Sequence, residues 1–499
     1  MDRTLLLRQV TDLREVVRQA AARVPPSLSG EAAVSAANLL AYRALRSQDI
    51  ADLQVALADV GLSSLGRLEA NVLDSLEKVR AWLAGDPPAR FEPNRQEGLR
   101  LAEARATRLF GRPRPGRTTR IMVTLDVDVP DPVPMALQLL RAGMDVARIN
   151  AAHGRPEDWQ NLAESIREAE RELERSGTPA PRRCRILFDL SGPRLRVGQF
   201  EGELRLGAGD RLRLLRSPLP VSLPAEATDP PAVPCSEPAA LEVVSPGQPV
   251  AIDGGRFAGS VVDVTDQWVE VLLDTPAGGL SRLRPEKGLN FPGLTLPLAG
   301  LTGADIASLD AAAPFADLFG LSFVHGPSDI ARLAAELERR GLLSRGVIAK
   351  IETRAAAHAL TPILLEGLRL PAFGVMIARG DLAVEVGWDD LALYQEAILC
   401  LCEAAHLPSI WATQVLETLA RHGTPARPEI TDAAAATRAD CVMLNKGPYV
   451  GAAVRLLDRL LASEHRNRLK KRELFREFIA QDDLGNGPPS APPPAVQGR

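Results

Sequence analysis

Gly346-Val-Ile-Ala-Lys-Ile-Glu352 and Phe373-Gly-Val-Met-Ile-Ala-Arg-Gly-Asp381 are short apolar runs, each closing on a carboxylate with a cation close by. Runs of this length, bounded by polar or breaker residues, fit parallel strands covered on both faces. Two carboxylates meeting at one end of a parallel sheet suit a hard divalent cation such as Mg²⁺, which takes oxygen ligands and keeps positions open for substrate. Lys350 and Arg379 would then balance anionic substrate oxygens, as phosphoryl transfer or enolate chemistry requires. The structural alternative is that Glu352 and Asp381 only cap the helices that follow.

Outward from these two runs, strand-like and helix-like stretches alternate from Arg120 onward. The strands expected are Arg120–Thr124, Asp145–Asn150, Cys184–Asp189, Asp317–Phe323, Gly346–Ile351, Phe373–Ala378, Pro408–Thr413 and Ala439–Leu444, with helical patterns such as Glu157–Glu174, Ser328–Arg340, Leu391–Ala405 and Gly451–Ala462 between them. Eight strands with crossover helices predict an α/β chain folded as a (β/α)8 TIM barrel, whose chemistry lies at the strand C-terminal ends. The barrel is divided into 117–196 and 288–465 by a segment, 197–287, rich in Pro, Gly and Val with short alternating runs. That segment predicts a small inserted β-barrel domain at the catalytic rim. Residues 1–112 read as a helical region, with Leu5, Val10, Leu13 and Val17 in amphipathic spacing and Ser63 or Ser64 available to cap the helix through Val72, Val79 and Leu83. Gly111-Arg-Pro-Arg-Pro-Gly116 is a linker by composition, and 466–499 predict a helix end followed by a disordered tail.

Composition narrows the function classes. A net charge of −4 argues against nucleic acid or an anionic membrane as a partner held by bulk charge. No apolar run reaches the roughly 20 residues needed to span a bilayer, and the opening residues lack a signal peptide's apolar stretch, so a cytoplasmic setting is expected. Five cysteines (Cys184, Cys235, Cys400, Cys402, Cys441) form no C-x-x-C pair and read as buried thiols in a reducing compartment. Aromatics are only 4%, so the core is expected to be aliphatic.

The strand ends concentrate polar chemistry at one rim: Thr124, then Arg148, Asn150 and His153, then Asp189 with Arg194 and Arg196. Ser322, Lys350 with Glu352, Arg379 with Asp381, Thr413, and Asn445 with Lys446 complete it. A purely structural rim would carry ordinary caps, so this concentration points to catalysis.

Six segments in order, Ala147-Arg-Ile-Asn-Ala-Ala-His-Gly154, Phe188-Asp-Leu-Ser-Gly-Pro-Arg-Leu-Arg-Val-Gly198, Lys287-Gly-Leu-Asn-Phe-Pro-Gly293, Lys350-Ile-Glu352, Gly374-Val-Met-Ile-Ala-Arg-Gly-Asp381 and Ala412-Thr-Gln-Val-Leu-Glu417, resemble the pyruvate kinase family over 118–465. The resemblance implies phosphoryl transfer from phosphoenolpyruvate to a nucleoside diphosphate, ADP first, with Mg²⁺ (or Mn²⁺) held by Glu352 and Asp381. It implies Lys350, Thr413, Arg148 and Arg196 as catalytic groups. Lys350 would neutralise the phosphoryl group in flight, and Thr413 would protonate the enolate by way of water. Ser322, Ala378, Arg379, Gly380, Asp381, Thr413 and Lys287 would bind substrate, the backbone N–H groups at 379–381 receiving its carboxylate and Lys287 arriving as the insert closes like a lid. Arg148, Asn150 and His153 would bind the nucleotide.

The sequence also departs from the family pattern. Of the family's monovalent-cation site, Asn150 and Asp189 remain but the serine position is Ala152. Arg194 stands where potassium-dependent members carry Glu, and a guanidinium beside Asp189 is expected to replace K⁺. Asp126-Val-Asp128 and Asn445-Lys-Gly-Pro-Tyr449 stand where the family has Gly-Pro-Ala-Ser and Ser-Gly-Glu-Thr, both on the nucleotide side. Residues 466–499 are too few for the family's C-terminal regulatory domain, so sugar-phosphate control there is not expected. A homo-oligomer acting on small molecules is expected. Two alternatives stay open: a Mg²⁺-dependent enzyme on another enolate or 2-oxo acid, and a weakly active regulator that binds phosphoenolpyruvate or nucleotide.

Overall fold

The computed structural model describes residues 2–177, 183–223, 230–294, 296–298, 300–469 and 472–473. Within it eight parallel strands hydrogen-bond in a closed ring, each next to its sequence neighbours among the barrel strands, and the first, Arg120–Thr124, pairs with both the second and the eighth. The strands are Arg120–Thr124, Val146–Asn150, Arg185–Asp189, Leu318–Leu321, Gly346–Ile351, Phe373–Ala378, Ser409–Ala412 and Cys441–Leu444, so every expected strand is present and several are shorter by a residue or two at the ends. The helices between them bury one face each. Pro156–Arg175, for example, turns Trp159, Leu162, Ile166, Ala169 and Leu173 inward at helical spacing.

The N-terminal region forms five helices, Arg3–Ala21, Gly30–Arg46, Ala51–Asp59, Val72–Ala84 and Arg95–Phe110. The fourth begins after Asn71 rather than at Ser63 or Ser64, because residues 66–71 form turns before the chain becomes helical. Apolar residues of this region join the same core as the barrel helices. The last helix ends with Leu109 and Phe110 buried among Met122, Val146, Leu187, Leu318, Ile348 and Met376, side chains of the barrel interior. Room for Leu109 comes from glycines at two strand starts: a Cβ on Gly346 would lie 2.5 Å from it, and one on Gly374 2.6 Å. Polar contacts fix the same docking. The Asn38 amide donates to the carbonyls of Glu69 (2.7 Å) and Ala404 (2.8 Å), and Arg105 donates to that of Ala405 (2.9 Å).

The insert leaves the rim after the third barrel strand and carries its own core, including Leu212, Leu214, Ile252, Phe257, Val269, Val271 and Phe291. The expected β-barrel is not closed among the described residues. The structure shows a six-stranded sheet with two separate two-stranded ladders. Proline accounts for its open edges. Ala232–Pro234 lies at one edge beside Pro230 and Pro231, and the two-residue strand Leu289–Asn290 at the other edge runs into Pro292. A short neck joins insert to barrel, with Val197 N–H donating to Lys287 O (2.8 Å) and Leu289 N–H to Leu195 O (2.9 Å). The tail expected to be disordered lies, from 474 onward, outside the described residues.

Candidate active site

Parallel strands of this length end together, so their C-terminal residues converge on one rim. Lys350, on the fifth strand, is buried, and its ammonium reaches Ser322 Oγ at 2.7 Å, Glu352 Oε1 at 3.1 Å and Asp189 Oδ2 at 3.4 Å. Burial pulls the pKa of Lys350 down, but the charges of Asp189 and Glu352 outweigh it, and the net shift is upward. The group therefore stays cationic through the neutral range. Ser322 holds it in place: its hydroxyl accepts from Lys350 and donates to Leu190 O at 2.6 Å.

Asp189 is the fulcrum of the other half. It accepts from Arg148 Nε at 2.8 Å and lies 2.5 Å from Arg148 Nη2, while Arg148 Nη1 donates to the Thr124 hydroxyl at 2.9 Å. Burial alone would raise the Asp189 pKa, yet Lys350 and Arg148 together hold it below the ordinary value. His153 lies nearby. Burial first, then the charges of Lys446, Arg196 and Arg148, lower its pKa from the usual 6.5, so it is mainly neutral at pH 7.

Glu352 is buried, with Oε2 accepting from the Phe323 N–H at 2.6 Å. Burial raises its pKa and the Asp381 charge adds to the rise, against the pull of Lys350. Both carboxylates line one cavity of about 190 Å³, along with Arg194, Phe323, Arg354 and Glu385. Two carboxylates facing one cavity are a fitting donor set for Mg²⁺, which is bound through one or two carboxylates plus water and substrate oxygens. Among the described residues no cluster of three or more His, Cys, Asp or Glu is arranged to hold an ion, so these residues supply no closed all-protein cage.

Thr413 follows the seventh strand in the left-handed backbone region (φ 65°), as does Gln414 (55°), and Phe323 across the rim shares it (52°). Such conformations cost about 1–3 kcal/mol each and persist where packing fixes them. The strain points Thr413 Oγ1 at the Gly380 N–H, which donates to it at 2.8 Å. That N–H is thus already engaged, and the expected carboxylate cradle at 379–381 has one fewer donor to offer. The Arg379 side chain is likewise committed: it pairs with Asp432, donates to Ala412 O (3.0 Å) and lies over the Trp411 ring (4.7 Å). Arg379 clamps the sixth strand to the seventh, and Ala378 beside it is buried.

Four expected placements change. Arg194 is not the counter-ion of Asp189, since its guanidinium pairs with Asp381 Oδ1 at 3.7 Å and Arg148 takes Asp189 instead. The backbone turns Arg194 toward the neck of the insert, away from the third strand. Asn150 Oδ1 accepts from Ala152 N–H at 3.2 Å and braces its own turn. Lys287 is held inside the insert by Asp253 at 2.8 Å, while Arg196 donates to Glu286 O at 3.1 Å, so both cations sit at the neck. Sequence reading missed two residues. Glu385, one helical turn after Asp381, is buried on the cavity with its pKa raised chiefly by burial, and that spacing was its only signal. Asp432, the partner of Arg379, had none.

A (β/α)8 barrel with a β domain inserted after its third strand, and a rim that sets buried cations against two cavity-facing carboxylates, places the chain in the class of (β/α)8 barrel enzymes with polar chemistry at the strand C-terminal ends. The chain belongs to the pyruvate kinase family: residues 116–452 match the family model described as pyruvate kinase, barrel domain. It is 31% identical to a pyruvate kinase of Geobacillus stearothermophilus over 74% of this chain and 61% of that one. Pyruvate kinases of Thermococcus litoralis (32%, over 63% of this chain and 62% of the relative) and Methylorubrum extorquens (32%, over 71% and 70%) are similarly close. The chain spans about three-fifths of the length of the first two of these relatives. Among the described residues no helix is long and apolar enough to cross a membrane.

Proposed function

We propose that this chain transfers the phosphoryl group of phosphoenolpyruvate to a nucleoside diphosphate, ADP first, with Mg²⁺ held by Glu352 and Asp381 and Mn²⁺ as a substitute. The observation that carries this reading is the buried Lys350 ammonium, pinned by Ser322, Asp189 and Glu352 beside the cavity that both carboxylates line. When bound, the metal would supply charge neutralisation for substrate oxygens.

The chain's own groups do the rest. Lys350 and Arg148 present fixed positive charge to the equatorial oxygens as the enol-ester P–O bond breaks and the acceptor oxygen bonds to phosphorus. Because both are pre-oriented by Asp189, little reorganisation is needed at the moment of transfer. The enolate left behind takes a proton at its methylene carbon. Thr413 accepts from Gly380 N–H, so its own hydroxyl proton is free to be donated, through a water, toward that carbon. Arg148, Asn150 and His153 border the nucleotide and Arg196 assists phosphate positioning, with Lys287 reaching the site if the insert closes. Activity without added K⁺, a cytoplasmic setting and a homo-oligomer complete the proposal. The exposed Trp388 and Leu393 on helix Trp388–Ala404 are apolar surface that self-association would bury.

A second reading, with the same donor and a different acceptor, draws support from the altered nucleotide side, where Lys446 is tied to Asp126 at 2.7 Å. The test is pyruvate formation from phosphoenolpyruvate and Mg²⁺ with a panel of nucleoside diphosphates. Turnover with ADP or another member of the panel supports the first reading. Pyruvate formed with none of them would remove it.

A further inference from the structure

Among the described residues, Arg194 makes the one ion pair of Asp381, at 3.7 Å, and lines the same cavity as Glu352 and Asp381. It sits at the barrel end of the neck, where Arg196 and Gly288 form an isolated antiparallel bridge. Its guanidinium lies against Gly288: a Cβ there would meet Nη2 at 3.3 Å and Nε at 3.5 Å. One side chain thus touches both a carboxylate of the candidate metal site and the backbone of the strand returning from the insert. Its charge is permanent, since a guanidinium does not deprotonate in proteins.

We propose that Arg194 is a resident counter-ion of Asp381, a positioning residue that holds the metal site electrostatically neutralised until a divalent cation displaces it. A cation bound by Asp381 and a guanidinium within about 4 Å of the same oxygen repel one another. Loading the site therefore requires Arg194 to withdraw, and its packing against Gly288 carries that movement to the neck of the insert. Divalent affinity in the absence of substrate is accordingly held down. A phosphorylated substrate would offset this by giving the displaced guanidinium new anionic oxygens to meet. This inference rests on the proposed assignment of Glu352 and Asp381 as metal ligands.

The test is Mn²⁺ binding to the full chain without substrate, read by loss of the free-ion electron paramagnetic resonance signal, for wild type, Arg194→Met and Arg194→Lys. Circular dichroism checks that each variant is folded. Arg194→Met is expected to bind Mn²⁺ at least about tenfold more tightly than wild type, and Arg194→Lys, which keeps the charge, to remain within a few-fold of it. A structural role alone would not separate Met from Lys in this direction. Equal or weaker binding by Arg194→Met, with wild type binding measurably, overturns the inference and leaves the metal-site reading standing. No Mn²⁺ binding by any of the three overturns the metal-site reading and the inference with it.

Discussion

Lys446 Nζ and Asp126 Oδ1 lie 2.7 Å apart, joining the loop after the eighth barrel strand to the loop after the first. Both loops depart from the family pattern, and the ion pair joins the two departures across the seam. Lys446 also reaches Asp128 at 3.9 Å, and its charge helps hold the His153 pKa down. Substituting Lys446 by Met removes a like charge and leaves Asp126 unpaired, and both effects favour the imidazolium. The His153 pKa should rise toward its ordinary value, followed by NMR titration of the imidazole protons. A pKa that stays put would mean that burial and the charges of Arg196 and Arg148 set it without Lys446. The linkage has a definite sign. A depressed pKa contributes stability that is present above the unfolded value near 6.5 and is lost as the pH falls toward the folded value, so the variant should lose less stability on mild acidification than wild type.

Lys350→Met should lower phosphoryl transfer by roughly 10²–10³-fold, the usual scale for losing one preorganised group that stabilises transition-state charge. Exchange of solvent deuterium into pyruvate, which moves a proton but no phosphoryl group, should fall less. Equal losses in both would assign Lys350 to the integrity of the Asp189–Glu352 pair instead of to the transferring group.

Turnover is predicted without K⁺, for a reason that differs from the one the sequence suggested. Asp189 already faces two cations, Arg148 at 2.5 Å and Lys350 at 3.4 Å, and Ala152 offers no hydroxyl ligand. Among the described residues its remaining oxygen, Oδ1, is buried with no hydrogen-bond partner, and a monovalent ion would have to lie there. Like charges about 4 Å apart repel by about 4 kcal/mol at an effective dielectric of 20. Steady-state rates in tetramethylammonium buffer, with and without K⁺, provide the measurement. A tenfold or greater activation would show that Asp189 has room for the ion.

Leu109→Ala should destabilise the chain by about 2–5 kcal/mol, the range for emptying a fully buried leucine site. The side chain sits in the base of the barrel against two glycines, where the surrounding strands have little freedom to collapse. Denaturant unfolding of the full chain measures this. A loss below about 1 kcal/mol would mean that the N-terminal helices dock without sharing the barrel core.

Eight strands, the helices between them and the position of the insert could be read from the chain because local pattern carries them: a buried strand needs a continuous apolar run, and a crossover helix needs apolar residues every three or four positions. The convergence of Lys350, Glu352 and Asp381 followed as well, since strands of a parallel barrel end on one face. What each rim side chain touches was not encoded locally. Arg194 lies five residues after Asp189 yet pairs with Asp381, 187 positions further on by their numbering, because the neck turns it outward. The Gly380 N–H meets Thr413 through a left-handed backbone that no apolar pattern announces. Likewise 1–112 read as a helical region with nothing to place it against the barrel, but Leu109 and Phe110 close the barrel base, a contact fixed by the missing Cβ atoms of Gly346 and Gly374. Sequence periodicity thus determined which segments are strands and helices and which face is chemical. Tertiary packing alone decided which charge neutralises which, since ion pairing depends on distances of a few ångströms between residues far apart in the chain.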